Sequence, residues 1–452
     1  MVGAIEPRPT IVNVIKMSVS AKRLKPAIRR WLVPLHRWLG LFLAGFLVIE
    51  GITGSLLAFR WPLTHWFDPH TYSPSPHPGL RPLGLGDLAE RAEASHPELQ
   101  VDYFFAADND EPVTLRVEGR PSPATGKRHE LGFKYLIVDP YTGAEITRLT
   151  DNRRTEAFLA NLMPFVYGLH IALSLGEAGT WILSAIALLW TVDCFVGFYL
   201  TLPVGTGRFW HGWRRAWQIK GTSNPFALNF DLHRAGGLWF WPMLFIFAWS
   251  SAGLVEHSMP FYEWLIGTLL PYQTTGAWVE TLPKHSDRPP KLAWSAAQAM
   301  GEKLLAEQAA LQGFKPGKQT SFAYLHGNGL YSFDALTDRA FPSKRGINIM
   351  FDGDTGKLYS VDPGPGEKVG NRISDLLRAL HMASDPVNSL LYRILVCIVG
   401  LAVALLSLTG VYLWWRKRGV QKRRGQEHLR MALASASDLG PRQAKAATRK
   451  SD

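Results

Sequence analysis

Cysteine is nearly absent from this 452-residue chain: Cys194 and Cys397 are the only two. Both fall inside long apolar runs, so the polar segments carry no disulfide framework, and no Cys-x-x-Cys-His exists for covalent haem attachment. Gly-rich phosphate loops and dinucleotide fingerprints following a strand are missing as well. The basic segments are too short to house a flavin or nicotinamide domain. Acidic residues are scarce where basic ones gather. Residues 1–35 hold seven Lys/Arg against Glu6 alone, 203–230 hold four against none, and the tail from Arg416 holds eleven against three. These segments carry +18 of a whole-chain +12, which leaves −6 for the rest. Because that charge flanks apolar runs instead of forming a stripe, it does not point to nucleic acid.

Four apolar runs are present: about Leu39–Phe59, Trp181–Leu202, Leu238–Val255 and Leu391–Trp415. A helix needs about 20 residues to cross the hydrocarbon core of a bilayer. Soluble core helices are shorter and keep a polar face. Basic flanks resist translocation and stay in the cytoplasm, which fixes the orientation. The first run is too long for a cleavable signal and reads as an uncleaved anchor. The predicted fold class is therefore membrane α-helical, a four-transmembrane-helix bundle with two periplasmic α+β domains. Its parts are a cytoplasmic N-terminal segment (1–35), a first span (36–60), a periplasmic domain (61–165), and a periplasmic-edge helix with the second span (166–202). A cytoplasmic loop (203–230), a third span (231–256) and a second periplasmic domain (257–377) follow. The chain closes with a periplasmic-edge helix and fourth span (378–416) and a disordered cytoplasmic tail (417–452).

The exported segments repeat one design. YLIVDPYTGAEI (135–146) and INIMFDGDTGKLYSV (347–361) each read strand–turn–strand, and LGDLAERAEAS (85–95) and SAAQAMGEKLLAEQAAL (295–311) read as helices. The spans repeat too. LHRWLGL (35–41) matches LHRAGGL (232–238), YGLHIALSL (167–175) matches RALHMASD (378–385), and GFYL (197–200) matches GVYL (410–413). The chain thus reads as an internal duplication whose halves are parallel repeats.

Four of the fourteen histidines occupy the repeated positions: His36, His170, His233 and His381. One span of about 22 residues separates its two ends by about 33 Å. Only His36 with His233, and His170 with His381, can then meet. Facing imidazoles from two helices are how a bundle ligates haem iron from both sides. Two imidazoles alone make a poor zinc site. A structural role, such as a helix-terminal hydrogen bond, is the competing reading for either pair. Glu50 and Asp193 are intramembrane acids, suited to proton movement or to hydrogen bonding near a cofactor, and equally to plain helix–helix bonding. Arg393 suits a haem propionate or simple snorkelling. His65, His257 and Glu263 near the outer span ends read as ordinary interfacial polar residues, with His65 and His257 next in line as ligands.

The segments LHRWLGLFLAGFLVIEGITGSLLAF, YLIVDPYTGAEI, LHIALSL…GFYLTLP and LHRAGGLWFWP together resemble the PepSY-associated transmembrane family, over about residues 30–418. That family includes iron-regulated inner-membrane proteins, some of them di-haem reductases of ferric siderophores. The resemblance implies PepSY-like outer domains around the two D-x-x-T-G turns and two b-type haems held by His36, His233, His170 and His381. It implies a bacterial inner-membrane enzyme that reduces a periplasmic ferric chelate, such as a ferric siderophore, and releases ferrous iron. A membrane quinol or a cytoplasmic reductase would supply the electrons. In one departure from the pattern, Thr53-Gly54 aligns with Ser250-Ser251. Two rivals stand beside this reading: a siderophore or peptide permease, against which no broken helix marks a midplane site, and a membrane-anchored binding or regulatory protein without redox activity.

Overall fold

The structure, a computed structural model, describes residues 11–72, 77, 79–105, 111–122, 124–149, 162–204, 208–221, 224–255, 257–273, 282–283, 289–338, 346–362, 368–384 and 389–448. For 11–27, 70, 105 and most residues beyond 419 it describes the backbone alone. In chain order the helices are α1 (Ile11–Leu57), α2 (Arg60–Phe67), α3 (Pro69–Tyr72), α4 (Leu85–Ser95), α5 (Leu162–Ala172), α6 (Glu177–Thr201) and α7 (Phe209–Arg214). They continue with α8 (Pro225–Trp239), α9 (Trp241–Leu254), α10 (Met259–Leu269), α11 (Trp294–Gln312), α12 (Val369–Met382) and α13 (Leu390–Thr448). The chain divides into two compact units, one of residues 1–52, 186–248 and 399–452, the other of residues 53–185 and 249–398.

Three stretches are long and apolar enough to cross a membrane: Ile28–Leu57 of α1, Glu177–Thr201, and Leu390–Gly419 of α13. A fourth candidate is the pair α8 and α9, bent by 66°. This bend corrects the expectation that the third span is unbroken. Its cause is Pro242, which has no N–H to offer the carbonyl of Leu238 and whose ring clashes with it. Backbones approach closely where side chains vanish. A Cβ on Gly51 would stand 2.4 Å from the Gly400 carbonyl, so α1 and α13 are in contact through glycine. Leu43, Leu47, Ile186, Cys194, Leu244, Ala248 and Val403 fill the core of this first unit. The tail also departs from expectation. The sequence reading leaves 417–452 disordered, yet α13 continues to Thr448. The stretch MALASAS and the segment RQAKAA are rich in strong helix formers, which favour helix over coil even in a polar segment.

The second unit holds a single antiparallel sheet. Its strands are β1 (Leu99–Phe105), β2 (Val113–Gly119), β3 (Tyr135–Val138), β4 (Glu145–Leu149), β5 (Pro316–Leu325), β6 (Leu330–Thr337), β7 (Gly346–Asp352) and β8 (Leu358–Asp362), in the order β4-β3-β2-β1-β5-β6-β7-β8. Each sequence half supplies one helix and a four-stranded meander. The halves join where β1 pairs with β5, Phe104 opposite Phe322. Two separate domains were expected; instead the eight strands form one sheet over one core, with Leu88, Leu99, Phe104 and Leu136 from one half and Trp294, Phe322, Tyr331 and Phe351 from the other. The reason is that β1 and β5 would each be an open edge in a four-stranded sheet, and pairing removes both edges.

Helices α4 and α11 seal this union by capping one another. Neither has a side-chain cap from its own N-terminal residue. The Gly86 N–H at the start of α4 donates to Gln298 Oε1 of α11 (2.7 Å), and the Ser295 N–H and hydroxyl at the start of α11 donate to Glu90 Oε1 of α4 (both 2.8 Å). Each helix thus satisfies orphan groups of the other. Glu90→Ala should therefore lower the stability of this unit by about 1–2 kcal/mol, and a thermal melt of the purified protein unchanged from wild type would refute the reciprocal cap.

The two D-x-x-T-G turns are built alike. Asp352 Oδ1 accepts from the Thr355 hydroxyl (2.7 Å) and from the N–H groups of Thr355 (2.8 Å) and Asp354 (3.1 Å). Asp139 Oδ1 accepts from the equivalent groups of Thr142 and Tyr141. Gly143 (φ 73°) and Gly356 (φ 70°) complete the turns in left-handed geometry that a side chain would strain. The Thr355 hydroxyl, with the backbone N–H groups, holds the Asp352 carboxyl below the usual carboxylate range. Burial alone would raise Asp139, but bonds from Thr142, His77 and Tyr141 outweigh it and lower it. A depressed folded-state value gives stability that is complete above the unfolded value of about 3.9 and is lost as pH falls through the folded value. Asn keeps an acceptor oxygen but cannot titrate. The double variant Asp139→Asn/Asp352→Asn should lose stability less steeply than wild type on acidification below about pH 4; superimposable denaturation-versus-pH profiles would show that these turns do not govern the acid limb.

Candidate functional site: two histidine pairs

In the first unit, α1 carries His36 and α8 carries His233. Their ring centres are 6.3 Å apart with planes at 52°. Nδ1–H of His36 donates to Asp193 Oδ1 on α6 (2.8 Å). Nδ1–H of His233 donates to the Leu406 carbonyl of α13 (3.0 Å), with the Thr409 hydroxyl also at 3.0 Å. A carboxylate and a carbonyl offer only lone pairs. They therefore fix the tautomer of each neutral ring, leaving Nε2 with a free lone pair. Each ring also packs on a glycine of the helix that orients it. A Cβ on Gly197 would stand 3.3 Å from His36 Cε1, and one on Gly410 3.2 Å from His233 Cε1. That is the physical reason for the repeated glycine in GFYL and GVYL.

The pair borders a cavity of about 1000 Å³, whose lining includes Asp193, Trp241, Arg37, Arg234 and Arg416. Arg29 and Lys417 add to the basic lining. Arg234 is steadied by Asp231 (2.6 Å) and the Arg215 carbonyl (3.0 Å), and Arg29 reaches the carbonyls of Leu200 and Leu202. The bend after α8 brings Trp241 to the cavity, where its indole N–H donates to the Cys194 carbonyl (3.0 Å).

In the second unit, His170 ends α5 and His381 ends α12. Their ring centres are 6.4 Å apart with planes at 62°. His170 Nδ1 lies 2.9 Å from the Thr53 hydroxyl, and His381 Nδ1 lies 2.8 Å from the Ser250 hydroxyl. A Cβ on Gly54 would stand 3.1 Å from His170 Cε1. Leu173 and Ser174 after one histidine, and Ala383 after the other, take left-handed φ values of 50°, 54° and 48°. Such conformations cost about 1 kcal/mol or more in residues with a side chain. Both histidines are thus held in the last turn of a helix that stops abruptly.

The four repeated histidines accordingly meet in the pairs that depth allowed. Asp193 joins the first pair. Glu50 is half-buried on α1, and Arg393 is half-buried in the first turn of α13. His65 and His257 have surroundings of their own. His65 is 3.6 Å from Glu111 and stacks on Tyr72, while His257 stacks on Trp181 at 3.8 Å with Nε2 unpartnered among the described residues. Glu263 is buried, 3.4 Å from the Tyr272 hydroxyl. Among the described residues no cluster of three or more His, Cys, Asp or Glu side chains could hold a metal ion. The sequence reading missed the roles of Thr53, Ser250 and Thr409. The signal was the alignment of Thr53-Gly54 with Ser250-Ser251. It looks like a departure, yet both first residues carry the hydroxyl that the imidazole requires.

A multi-pass helical membrane protein with two facing histidine pairs, each ring anchored through Nδ1, is the class that fold and site define. Residues 33–417 match the PepSY-associated TM region family, and the chain belongs to that family. No curated protein matches it.

Proposed function

We propose that this protein is a di-haem oxidoreductase of the bacterial inner membrane, which passes electrons outward to a ferric chelate such as a ferric siderophore and releases ferrous iron. In this reading the duplicated halves supply four spans, both termini are cytoplasmic, and the PepSY-like sheet is periplasmic. A membrane quinol or a cytoplasmic reductase is the donor; one quinol gives up two electrons and two protons and reduces two ferric ions.

Ring spacing is the observation that carries the proposal. Two imidazoles that held one ion would each place a ring nitrogen about 2.0 Å from it, which calls for neighbouring rings with room for one ion between them. The two pairs stand at 6.3 Å and 6.4 Å. At His36 and His233, with Nδ1 engaged by a neighbouring helix, Nε2 is the nitrogen that would ligate. Two histidines per site would suit a haem, which brings ligands of its own, and suit poorly a bare ion that needs four protein donors. Arg37, Arg234 and Arg416 are available to neutralise propionates at the first pair, and Arg393 is the candidate at the second.

A bound b-type haem would supply one-electron ferric–ferrous chemistry. The chain's own residues do the rest. His36, His233, His170 and His381 ligate. Asp193, Leu406, Thr409, Thr53 and Ser250 orient. The apolar bundle excludes water. The bend at Phe240 is the one observation that leans toward a permease. Pro242 accounts for it locally, and transport gives no role to four oriented rings.

Purified protein should carry about two non-covalent haems. His36→Ala and His233→Ala should lose one and the same haem, and His170→Ala and His381→Ala the other. A pyridine haemochrome assay and haem spectra of the four variants read this directly. Negligible haem under adequate supply would leave the binding-protein reading standing. Losses grouped by sequence half, with His36 and His170 sharing a haem, would overturn the pairing.

Reporter fusions after Gly212 and Gly419 should be cytoplasmic, and those at Gly119 and Gly329 periplasmic. Phosphatase activity from the Gly212 fusion would contradict the proposed topology.

A further inference from the structure

The two histidine pairs are alike in spacing but differ in the charge of what orients them. His170 and His381 face the hydroxyls of Thr53 and Ser250, and His233 faces the Leu406 carbonyl and the Thr409 hydroxyl. His36 donates to a carboxylate, Asp193 Oδ1 at 2.8 Å. In the repeat, Asp193 and Leu406 are equivalent, each four residues before the glycine on which its histidine packs. At one position a side-chain carboxylate does what a backbone carbonyl does at the other.

This comparison separates two roles for Asp193. Holding a ring in place needs an acceptor, and the second repeat shows that a neutral one suffices. A buried carboxylate inside a membrane helix is costly, and Asp193 is 9% exposed. Orientation alone therefore does not account for its charge. What the charge changes is the basicity of the ring. A carboxylate drawing on Nδ1–H makes Nε2 the stronger electron donor. The negative charge itself also favours the more positive state of a nearby iron. Both effects act in one direction, toward the ferric form and a lower reduction potential.

Resting on the two-haem reading above, we propose that Asp193 is a positioning residue that lowers the potential of the His36/His233 site below what a neutral acceptor at that position would give, against the basic Arg37, Arg234 and Arg416 that line the same cavity.

The experiment is a spectroelectrochemical titration of the purified full-length protein beside Asp193→Asn, Asp193→Glu and His381→Ala, each preceded by haem quantification. Asn preserves an acceptor oxygen for His36 while removing the charge. Asp193→Asn should keep both haems and raise one midpoint while the other stays in place; Asp193→Glu should bring it back down. His381→Ala, which leaves the His36/His233 site intact, should retain the midpoint that Asp193→Asn moves, and Asp193→Ser, which offers a neutral hydroxyl, takes the place of Asp193→Asn if that variant does not assemble. Absence of haem from the wild-type protein would sink the two-haem reading itself. With haem present, two unmoved midpoints in Asp193→Asn, or a shift confined to the midpoint that His381→Ala loses, would overturn the role given to Asp193.

Discussion

An imidazole inside a packed helical bundle has to settle both of its ring nitrogens, and the arrangement of this protein's histidines follows from how it does so. In each case a group on another helix takes Nδ1: Asp193, Leu406 with Thr409, Thr53 or Ser250. A hydrogen bond of about 3 Å between helices tolerates little separation between their backbones. Glycine therefore recurs opposite the rings, at Gly54, Gly197 and Gly410, where a Cβ would press on Cε1. Held in this way, the rings of each pair stand with their centres 6.3 Å and 6.4 Å apart.

The sheet unit obeys the same rule in a different medium. Strands β1 and β5 would each expose unpaired backbone groups, and helices α4 and α11 would each begin with orphan N–H groups. The two halves satisfy both needs mutually, through the Phe104–Phe322 ladder and through the Glu90 and Gln298 caps. The unit is consequently one fold from two sequence-distant pieces. The turns at Asp139 and Asp352, by contrast, are complete within their own few residues, which is why the same D-x-x-T-G text yields the same geometry twice.

The spans were legible because twenty apolar residues have few other uses, and the histidine pairing because a helix fixes depth along its axis. The turns were legible because an Asx motif is local. The bend at Phe240 could have been seen in the Trp-Pro that follows it, but the apolar run reads continuously through Pro242 and masks the break. The joined sheet was not legible: nothing in the text of β1 or β5 names its partner across more than two hundred residues. Nor were the hydroxyls of Thr53, Ser250 and Thr409, since a lone hydroxyl in a span has no periodic signature.

The sequence by itself determined the apolar helices, the two turns and which histidines pair, because these rest on composition and on spacing along a single chain segment. The tertiary structure alone decided which groups hold each Nδ1, that the rings stand 6.3 Å and 6.4 Å apart, that Asp193 faces His36 while Leu406 faces His233, and that two segments far apart in the chain form one sheet. These depend on contacts between residues remote in the chain, whose distances and angles only packing sets.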